Sequence, residues 1–83
     1  MKFFLDVSDA NMPAVKALCE RNHLNCGVDS AGDADCVIYD VDSYSYSEVL
    51  SKMESLSCGD HAPCAAIYSP KFDNIIVGSV ILR

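Results

Sequence analysis

The sequence predicts a small single α/β domain spanning residues 1–83, doubly wound, with a short parallel sheet and helices at about 11–23 and 46–57. Three observations predict it. The runs CVIYD (36–40) and CAAIYS (64–69) are apolar without alternation, as strands covered on both faces require. Segments with helical spacing follow the first and third strand candidates. An 83-residue chain with 51% apolar residues suffices for one core and excludes two domains. A ferredoxin-like α+β fold, with 24–29 and 36–40 paired as a hairpin, is the alternative. Residues 29–35 reach at most about 25 Å, whereas a parallel crossover usually takes a dozen residues.

KFFLDV (2–7) opens the chain as a strand. Ser8, Asp9 or Asn11 then offers a helix cap, and Pro13 fits the first turn, where its missing N–H costs nothing. Met12, Val15, Leu18 and Cys19 form the apolar stripe of the first helix, opposite Lys16, Glu20 and Arg21. His23 reads as a surface or helix-end residue. Leu24, Cys26 and Val28 alternate with Asn25, Gly27 and Asp29, the period of an edge strand. SAGDAD is a loop leading into the central run 36–40. Ser45 and Glu48 make a capping box for a helix whose stripe is Val49, Leu50, Met53 and Leu56, with Gly59 as its left-handed stop. After the third apolar run, Pro70 to Asn74 turn the chain into Ile75–Leu82, whose β-branched content reads as one strand, with a short helix as the competing assignment.

Six Lys plus Arg against twelve Asp plus Glu, a net charge of −6, argue against direct contact with nucleic acid, which needs clustered cations that release counterions. No apolar run reaches the roughly 20 residues that span a bilayer, and Asp6 cuts short any N-terminal signal sequence. A cytoplasmic location with no membrane contact is expected. The odd count of five cysteines agrees with reduced thiols, and Cys19, Cys26 and Cys36 read as small core residues.

Candidate chemistry collects where strands end, because ligands of open α/β sheets bind beyond the carboxyl ends of the strands. Asp6 and Asp9 follow the first run, Asp40 and Asp42 the central one, and Ser69 ends CAAIYS. Carboxylates gathered there would suit magnesium, with Asp9 and Asp40 as its ligands. The bland readings are a helix cap for Asp9 and a solvated loop for Asp40 and Asp42. Cys58, His61 and Cys64 have C-x-x-H-x-x-C spacing, a second metal candidate suited to zinc, against the simpler reading of a helix-to-strand loop.

ADCVIYDVDS, followed by a helix and then APCAAIYS, resembles the centre of receiver domains of two-component response regulators. The resemblance covers most of the chain and implies a flavodoxin-like or receiver-like fold, with Asp40 as phosphoacceptor, Asp9 as one of a magnesium-binding acidic pair and Ser69 as the supporting hydroxyl. Ser8 stands where the second acid belongs, a helix between the second and third strands is missing, and no lysine ends a fifth strand. Without that cation a phosphoryl group loses preorganised stabilisation. The expectation is therefore a degenerate or truncated receiver, not an enzyme, that regulates by contacting a signalling or output protein without phosphorylation or cofactor. The alternatives are a phosphoacceptor using Asp40 with magnesium and a small metal-binding module on Cys58, His61 and Cys64. Asp40-Val41-Asp42 also resembles the DxD signature of haloacid-dehalogenase-type phosphatases, but that motif follows the first strand of a much longer chain. A homodimer through residues 75–82 is expected, because six large aliphatic residues crowd that segment.

Overall fold

The computed structural model describes residues 2–56 and 62–83. The elements are β1 (Phe3–Asp6), α1 (Met12–Arg21), a 3-10 turn (Ala31–Asp33), β2 (Cys36–Asp40), α2 (Tyr46–Leu56), β3 (Cys64–Ser69), β4 (Asn74–Val77) and β5 (Val80–Leu82). The five strands form one sheet in chain order, with β1, β2 and β3 parallel and β4 and β5 antiparallel.

This mixed sheet overturns the doubly wound, flavodoxin-like or receiver-like parallel fold. The reason lies in two short connections. Pro70 to Asp73 and Gly78–Ser79 are hairpin lengths, far below what a parallel crossover needs, so the last two strands must run antiparallel. The ferredoxin-like alternative fails as well, because β2 lies between β1 and β3 and pairs with no strand from 24–29. That segment contributes a single parallel bridge, Asn25 to Lys2. The Asn25 side chain accepts from the Gly27 N–H at 3.2 Å, a local bond that competes with a ladder. The expected alternation of burial at Leu24, Cys26 and Val28 survives without the strand.

Alternation along the strands builds two cores. Phe3, Cys36, Ile38, Ala66, Tyr68 and Ile75 face α1 and its Val15, Leu18 and Cys19. Val37 and Tyr39 face the opposite way and pack with Val49 of α2, joined by Phe4, Ala65, Ile67 and Met53. All five residues of β2 are buried because both faces of that strand are covered. Burial holds the thiol of Cys36 up at about 11, and burial together with the Cys26 thiol holds Cys19 up at about 12, so both behave as small apolar residues. The cysteines described, Cys19, Cys26, Cys36 and Cys64, are all free.

Helix ends follow local chemistry. The capping box forms: the Ser45 N–H donates to Glu48 Oε1 at 3.1 Å, and the Glu48 N–H to Ser45 Oγ at 3.4 Å. At the end of α1, His23 takes a left-handed φ of 57°, which lets the Leu24 N–H reach the Cys19 carbonyl at 2.8 Å. Gly59 lies outside the described residues. Among the described residues no helix is long and apolar enough to cross a membrane.

The strand expected over 75–82 is split by Gly78, whose φ of 61° opens a two-residue hairpin closed by Val77 and Val80. No atom lies within 4 Å of where a Cβ would sit, so a side chain there costs conformational energy and no clash. Gly78→Ala should lower unfolding free energy by about 1 kcal/mol in a urea titration. An unchanged midpoint would show that the turn relaxes.

Candidate functional site

The carboxyl ends of β1 and β2 carry two separate polar clusters, and a groove opens beside them. The first cluster centres on Asp40, 1% exposed at the end of β2. Its Oδ2 accepts from the Ser8 N–H and from Asn11 Nδ2, each at 2.8 Å, and its Oδ1 accepts from the Ser43 N–H at 3.0 Å. Burial raises the carboxyl pKa, but these donors outweigh it and bring the pKa down to about 2. Asn11, at the cap position of α1, makes no side-chain cap bond; its amide instead bridges Asp40 and Asp42, at 2.8 and 2.9 Å. Asp40 thus ties the β1–α1 loop to the β2–α2 loop.

Of the residues named from the sequence, Asp40 and Ser8 meet, through the serine backbone. Asp9 is exposed in the β1–α1 turn, and Ser69 is half-buried at the end of β3, in register with Asn74, whereas Asp40 is in register with Tyr68. Among the described residues, no group of three or more His, Cys, Asp or Glu side chains is placed to hold a metal ion. Cys58 and His61 lie outside the described residues, and Cys64 is exposed at the start of β3.

The second cluster was not foreseen. Tyr44 donates its hydroxyl to Asp6 Oδ1 at 2.7 Å, Lys52 Nζ sits 3.6 Å from Asp6 Oδ2, and the same ammonium lies 4.7 Å from the Tyr44 ring centre. The hydrogen bond to Asp6 raises the Tyr44 pKa, and the Asp6 charge raises that of Lys52. This ion pair is partly exposed and contributes little to stability; its effect is to fix Tyr44, whose ring meets Tyr39 edge-on at 5.7 Å. Strand alternation put Asp6 on the α2 side, but only the tertiary packing brings α2 across it.

Between α2, the β2–α2 loop and β3 lies a groove of about 400 Å³. Val41, Tyr46 and Leu50 line it and are 54%, 80% and 41% exposed, while Met53, Ala65 and Ile67 form its floor and walls. Tyr46 and Leu50 are four apart on α2, so they share one helix face. Compared with family models, curated proteins and solved structures, the chain gives no match in any of the three.

Proposed function

We propose that this domain is a regulatory protein-interaction module that takes an apolar segment of its partner, flanked by basic residues, into the groove between α2 and β3. The exposed apolar lining carries this reading. Val41, Tyr46 and Leu50 stand in water beside a concave floor of Met53 and Ile67, an arrangement that burial by a partner would stabilise. Charge favours a basic partner: the chain carries −6, and the segment that supplies most of the lining holds Asp42, Glu48 and Glu54 against Lys52, which already faces Asp6. Action without phosphorylation fits the packing of Asp40, since both of its oxygens accept hydrogen bonds in the interior. A signalling or output domain is the class of partner proposed.

A selection of random 16-residue peptides on the immobilised domain tests this. Enriched sequences should combine Leu, Ile or Phe at helical spacing with Lys or Arg and bind with micromolar affinity, and Leu50→Asp should weaken them at least tenfold, as loss of a central apolar anchor does. Enrichment equal to that on the Leu50→Asp protein would sink the proposal.

A further inference from the structure

Beyond the groove, the α2 side of the sheet continues uncovered. Tyr39, Ile67, Ile76 and Ile81 are in register across β2, β3, β4 and β5, so they form one row on that face. Tyr39 and Ile67 pack in the core beneath α2, but Ile76 and Ile81 are 40% and 50% exposed, as is Val80 on the other face at 54%. Residues 74–82 hold no charged side chain, although the chain has 18 charged residues in all. Edge strands of natural sheets are ordinarily blunted by shortness, Lys or Pro; β5 is short, at three residues, but Val80-Ile81-Leu82 carries neither Lys nor Pro.

The hairpin fixes which backbone groups are turned outward. In a two-residue hairpin the closing pair, here Val77 and Val80, is hydrogen-bonded, and bonded and non-bonded pairs then alternate. Val80 and Leu82 therefore direct their peptide groups toward β4. Ile81 directs both its N–H and its C=O away from the sheet, and among the described residues no strand lies beyond β5. One residue with both groups outward is what an antiparallel two-fold pairing needs at its centre.

We infer that a second copy of this chain occupies this edge: two β5 strands pair antiparallel about a two-fold axis at Ile81, which exchanges both hydrogen bonds with its counterpart and makes a ten-stranded sheet. The apolar row then runs unbroken through Ile67, Ile76 and Ile81 into the same residues of the partner. Such an interface is isologous and closes at two copies, because it uses up the edge that forms it. Each copy carries −6 overall, but no charged side chain lies within residues 74–82. The pairing buries about 400 Å² per subunit, or roughly 800 Å² in total, which is below the size of long-lived complexes and makes the dimer weak and concentration-dependent. This interface is separate from the groove and stands or falls independently of it.

Sedimentation equilibrium of the full chain under reducing conditions, from about 5 to 500 μM, tests it, with circular dichroism to verify folding of each variant. The wild type should convert from monomer to dimer across this range, and added salt should strengthen the dimer by screening like charges. Ile81→Lys should weaken it at least tenfold, whereas Leu50→Asp should leave it unchanged. In the dimer the Ile81 amide should gain hydrogen-exchange protection that rises with protein concentration. A monomer throughout, or a dimer indifferent to Ile81→Lys, overturns the inference; a dimer lost on Leu50→Asp does so as well, because it would place the contact in the groove. Should Ile81→Lys fail to fold, the concentration dependence of Ile81 protection decides alone.

Discussion

Replacing Asp40 with alanine should lower the unfolding free energy by about 3 kcal/mol or more, a large share of the 5–15 kcal/mol typical of small domains. The side chain is buried and accepts three hydrogen bonds, so its removal takes the partner from the part-buried Ser8 and Ser43 N–H groups and leaves the buried Asn11 amide with Asp42 alone. The same bonds predict acid sensitivity. The Asp40 carboxyl titrates near 2 in the folded chain against 3.8 ordinarily, a depressed value. Its contribution is therefore complete above about pH 4 and is lost as pH falls toward 2; at 1.36 kcal/mol per pH unit it amounts to about 2 kcal/mol. Urea titrations of wild type and Asp40→Ala at pH 7 and pH 2.5 check both statements. The gap between the proteins should be wide at pH 7 and narrow in acid. A gap that stays the same at both pH values would mean that other carboxylates govern the acid limb, and a loss below 1 kcal/mol at pH 7 would mean that the three donors find water.

The residues that cross-link the loops show how far sequence carries and where it stops. CVIYD announced a strand buried on both faces because no polar residue interrupts it before Asp40, and β2 is that strand. The capping box at Ser45 and Glu48 is local and equally legible. Direction was not legible in the same way. Apolar runs do not say whether a strand runs parallel; β1, β2 and β3 do, and only the short connections at 70–73 and 78–79 show that β4 and β5 cannot continue an all-parallel sheet. Asp40 stood out as an acid ending a central strand. Its role as an internal tie depends on Asn11, 29 residues earlier, leaving its cap position to reach across the sheet end, a long-range preference that no periodicity encodes. Asp6 stood out only as an acid at a strand end; its cluster with Tyr44 and Lys52 escaped for the same reason, since the three lie on different elements.

Tyr39→Phe should stabilise the fold by about 1–2 kcal/mol, because its buried hydroxyl makes no hydrogen bond. The residue is fully buried in β2, in register with Asp6, yet the Asp6 carboxylate accepts from Tyr44 instead. Burial and then the nearby Asp6 charge raise the Tyr39 pKa, which favours the neutral hydroxyl. Phenylalanine keeps the ring, its edge-on contact with Tyr44 and its packing against Val49, and deletes only the group whose desolvation is uncompensated. Beside it lies a cavity of about 230 Å³ lined by Asp6, Lys52 and Ser55. A paired denaturation of Tyr39→Phe and wild type distinguishes two outcomes. A raised midpoint means that the hydroxyl is a stored cost in the core, and a lowered one means that in solution it reaches a partner through that cavity, which reverses the prediction. Tyr44→Phe provides the contrast: its hydroxyl is bonded to Asp6 at 2.7 Å, so its loss should destabilise by about 1–2 kcal/mol and free Asp6 to accept from Tyr39. The two effects should therefore be non-additive, with the double variant less stable than the sum of the singles predicts only if Asp6 does turn to Tyr39 when Tyr44 releases it, because the double variant has no Tyr39 hydroxyl to make that bond.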